Sequence, residues 1–205
     1  MGLSPFQEHC RRWRGGCGSV ECGRAKQVVH YRGDVPCKVL FVGEAPGPSE
    51  DVVGVPFIGP AGSVLDQIRR RALPTDIPVG FANVVGCIPL DEAGEKFKEP
   101  GDDQVEACRP RLEELIRIAS PRLVVMVGKT AEGWLTPGYK HSIKVKEGTR
   151  FVAIIHPAAI LRGPPAAKNL SIQRAVIQVR DAYEALDGYE PDGVMKHDYT
   201  EEIPF

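Results

Sequence analysis

The chain has 205 residues, a net charge of −1 and 42% hydrophobic residues, a composition that supports one globular domain with a proper core. No run approaches the roughly 18 apolar residues of a membrane span, and the N-terminus lacks the apolar stretch of a secretory signal. An intracellular, cytoplasmic protein without membrane attachment is therefore expected.

In chain order, Ser4 and Pro5 open a short helix over 5–14, and Gly15, Gly16 and Gly18 end it. The stretch from Cys17 to Gly23 is irregular, the kind of backbone that wraps a metal centre. Lys38 to Val42 reads as a buried strand. It runs into a turn, Gly43-Glu44-Ala45-Pro46-Gly47, whose glycines are expected to take positive φ and to let a ligand come close. A second small-residue turn, Gly59-Pro60-Ala61-Gly62, leads into a helix over 63–72. A second strand spans Val79 to Val85, with Asn83 near its end. A long polar loop, 86–102, is of the length that usually serves a function. A helix follows to about Ala119, with Val105, Leu112, Leu115 and Ile116 at helical spacing. Leu123 to Val127 is a third strand, and Gly128 opens another helix. Phe151 to Ile155 is a fourth strand, followed at once by His156-Pro157. Residues 168–187 form a long helix.

Strands alternating with helices predict a three-layer α/β/α sandwich around a four-stranded parallel sheet. The expected organisation is a single domain over 1–187, including the cysteine segment 1–37, and an acidic, flexible tail over 188–205. If neighbouring strands end on one side, Glu44, Asn83, Gly128 and His156 share a rim, where open α/β sheets bind ligands.

Charge is unevenly spread. Residues 140–180 hold eight Lys/Arg against Glu147 alone, whereas 91–106 hold seven acids and two lysines. The basic segment reads equally as a polyanion footprint or as a solvated face. Six cysteines, at 10, 17, 22, 37, 87 and 108, point in an intracellular chain to metal ligands or free thiols rather than disulfides.

Each rim residue admits two readings. Glu44 is either a general base or a turn carboxylate. Asn83 offers a donor beside an acceptor, matching the amide edge of a nucleobase, or caps a turn. His156 can donate to a developing oxyanion or serve structure. Phe57 can stack on a flat ligand or pack the core. Gly128-Lys129-Thr130 is no phosphate loop, because position 123 is Leu where glycine is required.

These residues fall into an ordered set: Gly43-Glu-Ala-Pro-Gly47, Glu50-Asp51, Gly54-x-Pro-Phe-Ile-Gly59-x-Ala-Gly62, Asn83-Val-Val, Cys87-x-Pro89, Ala107-Cys-Arg-Pro110 and His156-Pro-Ala-Ala-Ile-Leu-Arg162. Taken together they resemble the uracil-DNA glycosylase superfamily, nearest to the family-4 type with a [4Fe-4S] cluster. The resemblance spans about residues 17–185. It implies a monofunctional DNA glycosylase that flips uracil out of DNA and hydrolyses its N-glycosidic bond, leaving an abasic site for base excision repair. It also implies roles for particular residues. Glu44 orients or activates water with Glu50 assisting, Ala45 lines the substrate site, Phe57 stacks on uracil, and Asn83 pairs with its polar edge. His156 stabilises the departing anion, and Ile160, Leu161 and Arg162 form a wedge in the DNA. The cluster ligands implied are Cys17, Cys22, Cys87 and Cys108, with zinc as the alternative metal. Cys10 competes with Cys22, and Cys37 is a plain buried thiol. DNA is the expected partner and a monomer the expected state. Three features depart from the family pattern: the first cysteine pair is Cys17-x4-Cys22 instead of Cys-x-x-Cys, the loop from Leu90 to Pro100 is long and acidic, and Glu44 stands where the most active relatives have Gln-Asp. They motivate the alternative of a non-catalytic or repurposed relative that binds DNA or a modified base.

Overall fold

The computed structural model describes residues 2–136 and 145–187. The acidic tail from 188, and Lys140 and Lys144 of the basic segment, lie outside the described residues. A five-stranded sheet runs through the middle. Its strands are β1 (Arg32–Gly33), β2 (Val39–Gly43), β3 (Val79–Asn83), β4 (Leu123–Val127) and β5 (Arg150–Ile154), in the order β1-β3-β2-β4-β5. The four longer strands are parallel, as expected. The addition is β1, two residues that pair antiparallel with β3 through Arg32 and Phe81. A two-residue strand leaves no alternating pattern in the sequence, so its existence depends on β3 presenting a free edge.

β2, β3 and β4 are buried at every position, the burial of a parallel strand covered on both faces. Side-chain alternation sorts them into two cores. Val39, Phe41, Val125 and Val127 face one layer, with α3 (Pro60–Ala72) and α7 (Pro165–Glu184) packed over it. Leu40, Val42, Val124 and Met126 face the other, under α4 (Asp102–Ala119) and α5 (Lys129–Leu135). The N-terminal helix α1 (Pro5–Arg12) lies against α4. Each large apolar side chain buried in these layers contributes about 1.5–3 kcal/mol, which is why the sheet centre is the most strongly determined part of the fold.

The chain leaves β2 toward β3 on one side and later returns to place β4 on the other. The strand order therefore reverses about β2, and the crevice beyond the C-terminal ends of β2 and β4 is where such sheets bind ligands. Two short helices flank that crevice: α2 (Pro48–Val53) after β2 and α6 (Pro157–Arg162) after β5. None of the described helices is long and apolar enough to cross a membrane.

Candidate active site and metal centre

The registers bring the site together. Gly43 ends β2 directly beside Asn83 at the end of β3. Pairing continues past the strands, with Val84 N–H donating to the Gly43 carbonyl at 2.8 Å and Val85 N–H to that of half-buried Glu44 at 3.1 Å. A Cβ placed on Gly43 would stand 2.5 Å from Phe57 Cζ and 2.7 Å from Asn83 Oδ1. Phe57 and Asn83 thus converge over a backbone position where only hydrogen fits. Asn83 is 2% exposed and Phe57 6%, so both walls of the slot are withdrawn from the surface.

The glycines of this turn work differently from the expectation. Neither Gly43 nor Gly47 takes positive φ; the left-handed residue is Phe57 itself, at φ 57°. Gly43 is required for space. Gly47 caps α2 with extended backbone, and a side chain there would meet Glu50 Oε2 at 2.7 Å. Phe57 is held in its costly conformation by α3, since a Cβ on Gly62 would lie 1.8 Å from the Phe57 carbonyl oxygen. Its ring also packs at 6.2 Å from Phe81, so most of the ring is core and one end reaches the slot.

Glu50 binds both turns. Its Oε2 accepts from Gly47 N–H at 3.1 Å and its Oε1 from Gly59 N–H at 3.3 Å. Next to it, buried Asp51 accepts from Lys26 N–H at 3.0 Å, tying α2 to the segment before β1. Half-buried Ala45 packs partly against the α4 side of the core.

His156 sits beyond β5 on the same rim. Gly128, at the end of β4, takes φ 94°, and a Cβ there would be 2.9 Å from His156 Cβ. Here glycine serves both conformation and space. His156 caps α6, its Nδ1 accepting from Ala158 N–H at 3.1 Å. Burial, and then the Arg162 charge, hold the imidazole below its ordinary pKa. A neutral ring that accepts at Nδ1 carries its proton on Nε2, which leaves Nε2–H as a donor. In the following helix Ile160 is 3% exposed and packs in the core, while Leu161 (37%) and Arg162 face outward. Of the three wedge residues named from sequence, Leu161 and Arg162 are available at the surface; the side chain of Ile160 is used inside.

Four of the six cysteines meet. Cys17 Sγ lies 3.3 Å from Cys22 Sγ and 3.3 Å from Cys108 Sγ, and Cys87 Sγ is 3.0 Å from Cys22 Sγ. None is in a disulfide. They come from the turn after α1, a 3-10 turn (Val20–Gly23), the exit of β3, and α4. Cys17, Cys22 and Cys108 form a compact group able to hold a metal ion. Sulfur contacts with Cys108, Cys17 and Cys87 pull the Cys22 thiol strongly down; the contact with Cys22 and then burial push Cys87 up. A metal held there would displace the thiol protons of this crowded set. An all-sulfur donor set from four segments fits a soft metal or an iron–sulfur cluster. Cys37 stands apart in the sheet core, its thiol pushed up to about 11 by burial, and Cys10 rides on α1.

Sequence reasoning passed over Arg111, the largest fully buried side chain. Its Nη2 donates to the carbonyls of Asn83 at 2.7 Å and Val84 at 3.1 Å. The signal was present: Gln104, Cys108, Arg111 and Leu115 share helical spacing and so belong to one buried face. The long loop after Cys87 is also more regular than its composition implied. Leu90 pairs with Phe97, and Asp91 Oδ1 accepts from Glu95 N–H at 2.8 Å. A groove of about 720 Å³, lined in part by Arg12, Trp13, Glu114, Pro121 and Lys146, opens at the opposite end of the sheet, before β4 and β5, and shares no residue with the rim.

The uracil-DNA glycosylase superfamily model matches residues 30–180, which include the whole rim and both later cysteines. The chain belongs to the uracil-DNA glycosylase superfamily. It is 32% identical over 172 residues to the type-4 uracil-DNA glycosylase of Sulfurisphaera tokodaii, covering 74% of this chain and 76% of the relative. To the type-4 enzyme of Thermotoga maritima it is 33% identical over 159 residues, covering 74% and 78%. To that of Archaeoglobus fulgidus it is 29% identical over 182 residues, covering 80% and 82%.

Proposed function

We infer that this glycosylase-family chain hydrolyses the N-glycosidic bond of uracil in DNA, releasing the base and leaving an abasic site. The observation that carries the reading is the buried convergence of Phe57 and Asn83 over Gly43, on the rim that also bears His156. A base must leave the duplex to enter such a slot. In this reading the Phe57 ring lies against the flipped pyrimidine. The Asn83 amide supplies a donor for a carbonyl oxygen and an acceptor for the neighbouring N–H, the order uracil presents and cytosine reverses at its 4-position.

As the glycosidic bond breaks, its electron pair leaves with the base, and negative charge gathers on the pyrimidine oxygens. The Nε2–H of neutral His156 is the donor for that charge. A dipole donor in a desolvated site contributes roughly 10²–10³ in rate. Glu44 directs the water that adds to the sugar carbon and takes up its proton. Glu50 acts by positioning, since both of its oxygens already hold backbone amides. Outside the slot, Leu161 fills the gap left by the flipped base and Arg162 contacts phosphate, with Ile160 anchoring the helix that presents them.

The four cysteines Cys17, Cys22, Cys87 and Cys108 would hold a [4Fe-4S] cluster, a reading that the family-4 resemblance supports over zinc. Bound there, it supplies structural cross-linking of the N-terminal segment to α4 and the β3 exit and no redox step in base release.

The test is cleavage of a uracil-containing oligonucleotide after alkali treatment, with iron, sulfide and zinc measured on the same preparation. Wild type should cut. Asn83→Ala should lose about a hundred-fold in kcat/KM while binding uracil-free DNA as wild type does. Iron-loaded wild type that binds DNA without cutting would overturn the enzyme reading in favour of a non-catalytic base-binding relative. Zinc in place of iron and sulfide would overturn the cluster assignment.

A further inference from the structure

We propose that Arg111 is the positioning residue that joins the four-cysteine centre to the uracil-reading strand end, its guanidinium serving as the counter-ion of that centre. The proposal rests on the cluster reading above.

Arg111 has no exposed surface, and a guanidinium in a protein stays charged. A buried cation needs both a compensating charge and partners for its donors. Nη2 has partners in the Asn83 and Val84 carbonyls; Nε and Nη1 have none among the described residues. Both idle nitrogens lie on the side of the cysteines: Cys108 is one turn before Arg111 on the buried face of α4, and Gly86, the neighbour of Cys87, lies against Nε. A cluster held by four thiolates carries net negative charge, and its sulfurs would also be acceptors for the idle N–H groups.

The local sequence makes room for this. Arg111 follows Cys108 by one helical turn on the same face of α4. Gly86 precedes ligand Cys87, and a Cβ on it would crowd Arg111 Nε at 3.0 Å. Gln104, one turn before Cys108, donates Nε2 to the Cys87 carbonyl at 3.4 Å. The guanidinium therefore bridges two places that the backbone links directly: the carbonyl of Asn83, whose side chain lines the slot, and the centre that begins four residues later at Cys87. An arginine acting through Asn83 in this way tunes uracil affinity from outside the slot.

The experiment compares wild type, Arg111→Met and Arg111→Lys as purified, metal-bearing protein. Readouts are iron and sulfide per chain, the midpoint potential of the cluster followed by electron paramagnetic resonance, and KM and kcat on a uracil oligonucleotide. Removing a positive charge destabilises the more negative, reduced cluster. Arg111→Met should therefore shift the potential downward and raise KM about ten-fold, with a smaller change in kcat. Arg111→Lys keeps the charge but not the planar fork. It should hold the potential near that of wild type while KM still rises. Should Arg111→Met fail to fold, wild type carrying ¹⁵N in its guanidinium groups provides the reading: the reduced cluster should show hyperfine coupling to that nitrogen, lost in Arg111→Lys. Wild type without iron sinks the cluster reading and this role together. Iron-bearing wild type with no such coupling, or an Arg111→Met protein with unchanged potential and KM, sinks this role alone.

Discussion

Gly43 and Gly128 show two different reasons for glycine at a strand end. Gly43 has ordinary extended backbone, so its lack of a side chain matters only for the space that Phe57 and Asn83 occupy. Gly43→Ala should fold, because the sheet register is untouched, yet displace one wall of the slot. We expect kcat/KM on uracil DNA to fall roughly ten- to hundred-fold through KM, about 1.4–2.8 kcal/mol. Steady-state kinetics with a circular dichroism control checks this; unchanged KM would show that the slot lies elsewhere. His156 makes a second prediction. Burial keeps its folded pKa below the ordinary 6.5, so the neutral donor persists as pH falls through 6.5. The acid limb of kcat should accordingly lie below pH 6.5, and His156→Ala should abolish that limb along with about 10²–10³ in rate. A pH–rate profile limb at or above 6.5 would contradict it.

At the scale of elements, α1 is positioned by one carboxylate. Glu114 on α4 receives Trp13 Nε1–H at 2.6 Å and Arg12 Nη1 at 3.0 Å, and pairs with His9 Nδ1 at 3.3 Å. The capping box of Ser4 and Gln7 starts the helix, but an eight-residue helix does not stand alone in water. Docking is what directs the chain onward to Cys17. Glu114→Ala leaves the Trp13 N–H and the His9 N–H without an acceptor. It should cost on the order of 2–3 kcal/mol, read as a lower denaturant midpoint, and should hasten loss of any metal the cysteines hold to a chelator. An unchanged rate of loss would separate α1 docking from the metal centre. α2 is held the same way, by Glu50 across two turns and by Gln27, whose Nε2 donates to the Val52 carbonyl at 2.7 Å.

For the whole molecule, buried histidines link stability to acid. Burial first, then the charges of Arg111 and His9, lower His30 to about 4 from 6.5. Between those values the unfolded chain binds a proton that the native chain refuses. The stabilisation is therefore complete above pH 6.5 and is lost as pH falls toward 4. His9 shifts in the same direction. The urea midpoint should drop between pH 7 and pH 4.5, and the drop should shrink in His30→Gln. An equally steep loss in that variant would assign the acid sensitivity to other groups.

The sequence alone determined the four parallel strands, because apolar runs such as Leu123–Val127 have to be buried on both faces. It also determined which residues stand at their C-terminal ends, since parallel order places Glu44, Asn83 and His156 on one rim. The ordered motifs carried the family. Tertiary structure decided what depends on distance between segments remote in sequence. Phe57 and Asn83 meet only because registers align Gly43 with Asn83. Cys22 rather than Cys10 joins Cys17 because α1 docks through Glu114, leaving the short turn free to fold over the sulfurs. Ile160 turns inward and Leu161 outward because a helix presents successive residues about 100° apart. The position of Arg111 was legible as a point on a helical face; its partners, two carbonyls at the end of β3, were not, because backbone hydrogen-bond acceptors leave no mark in the order of side chains.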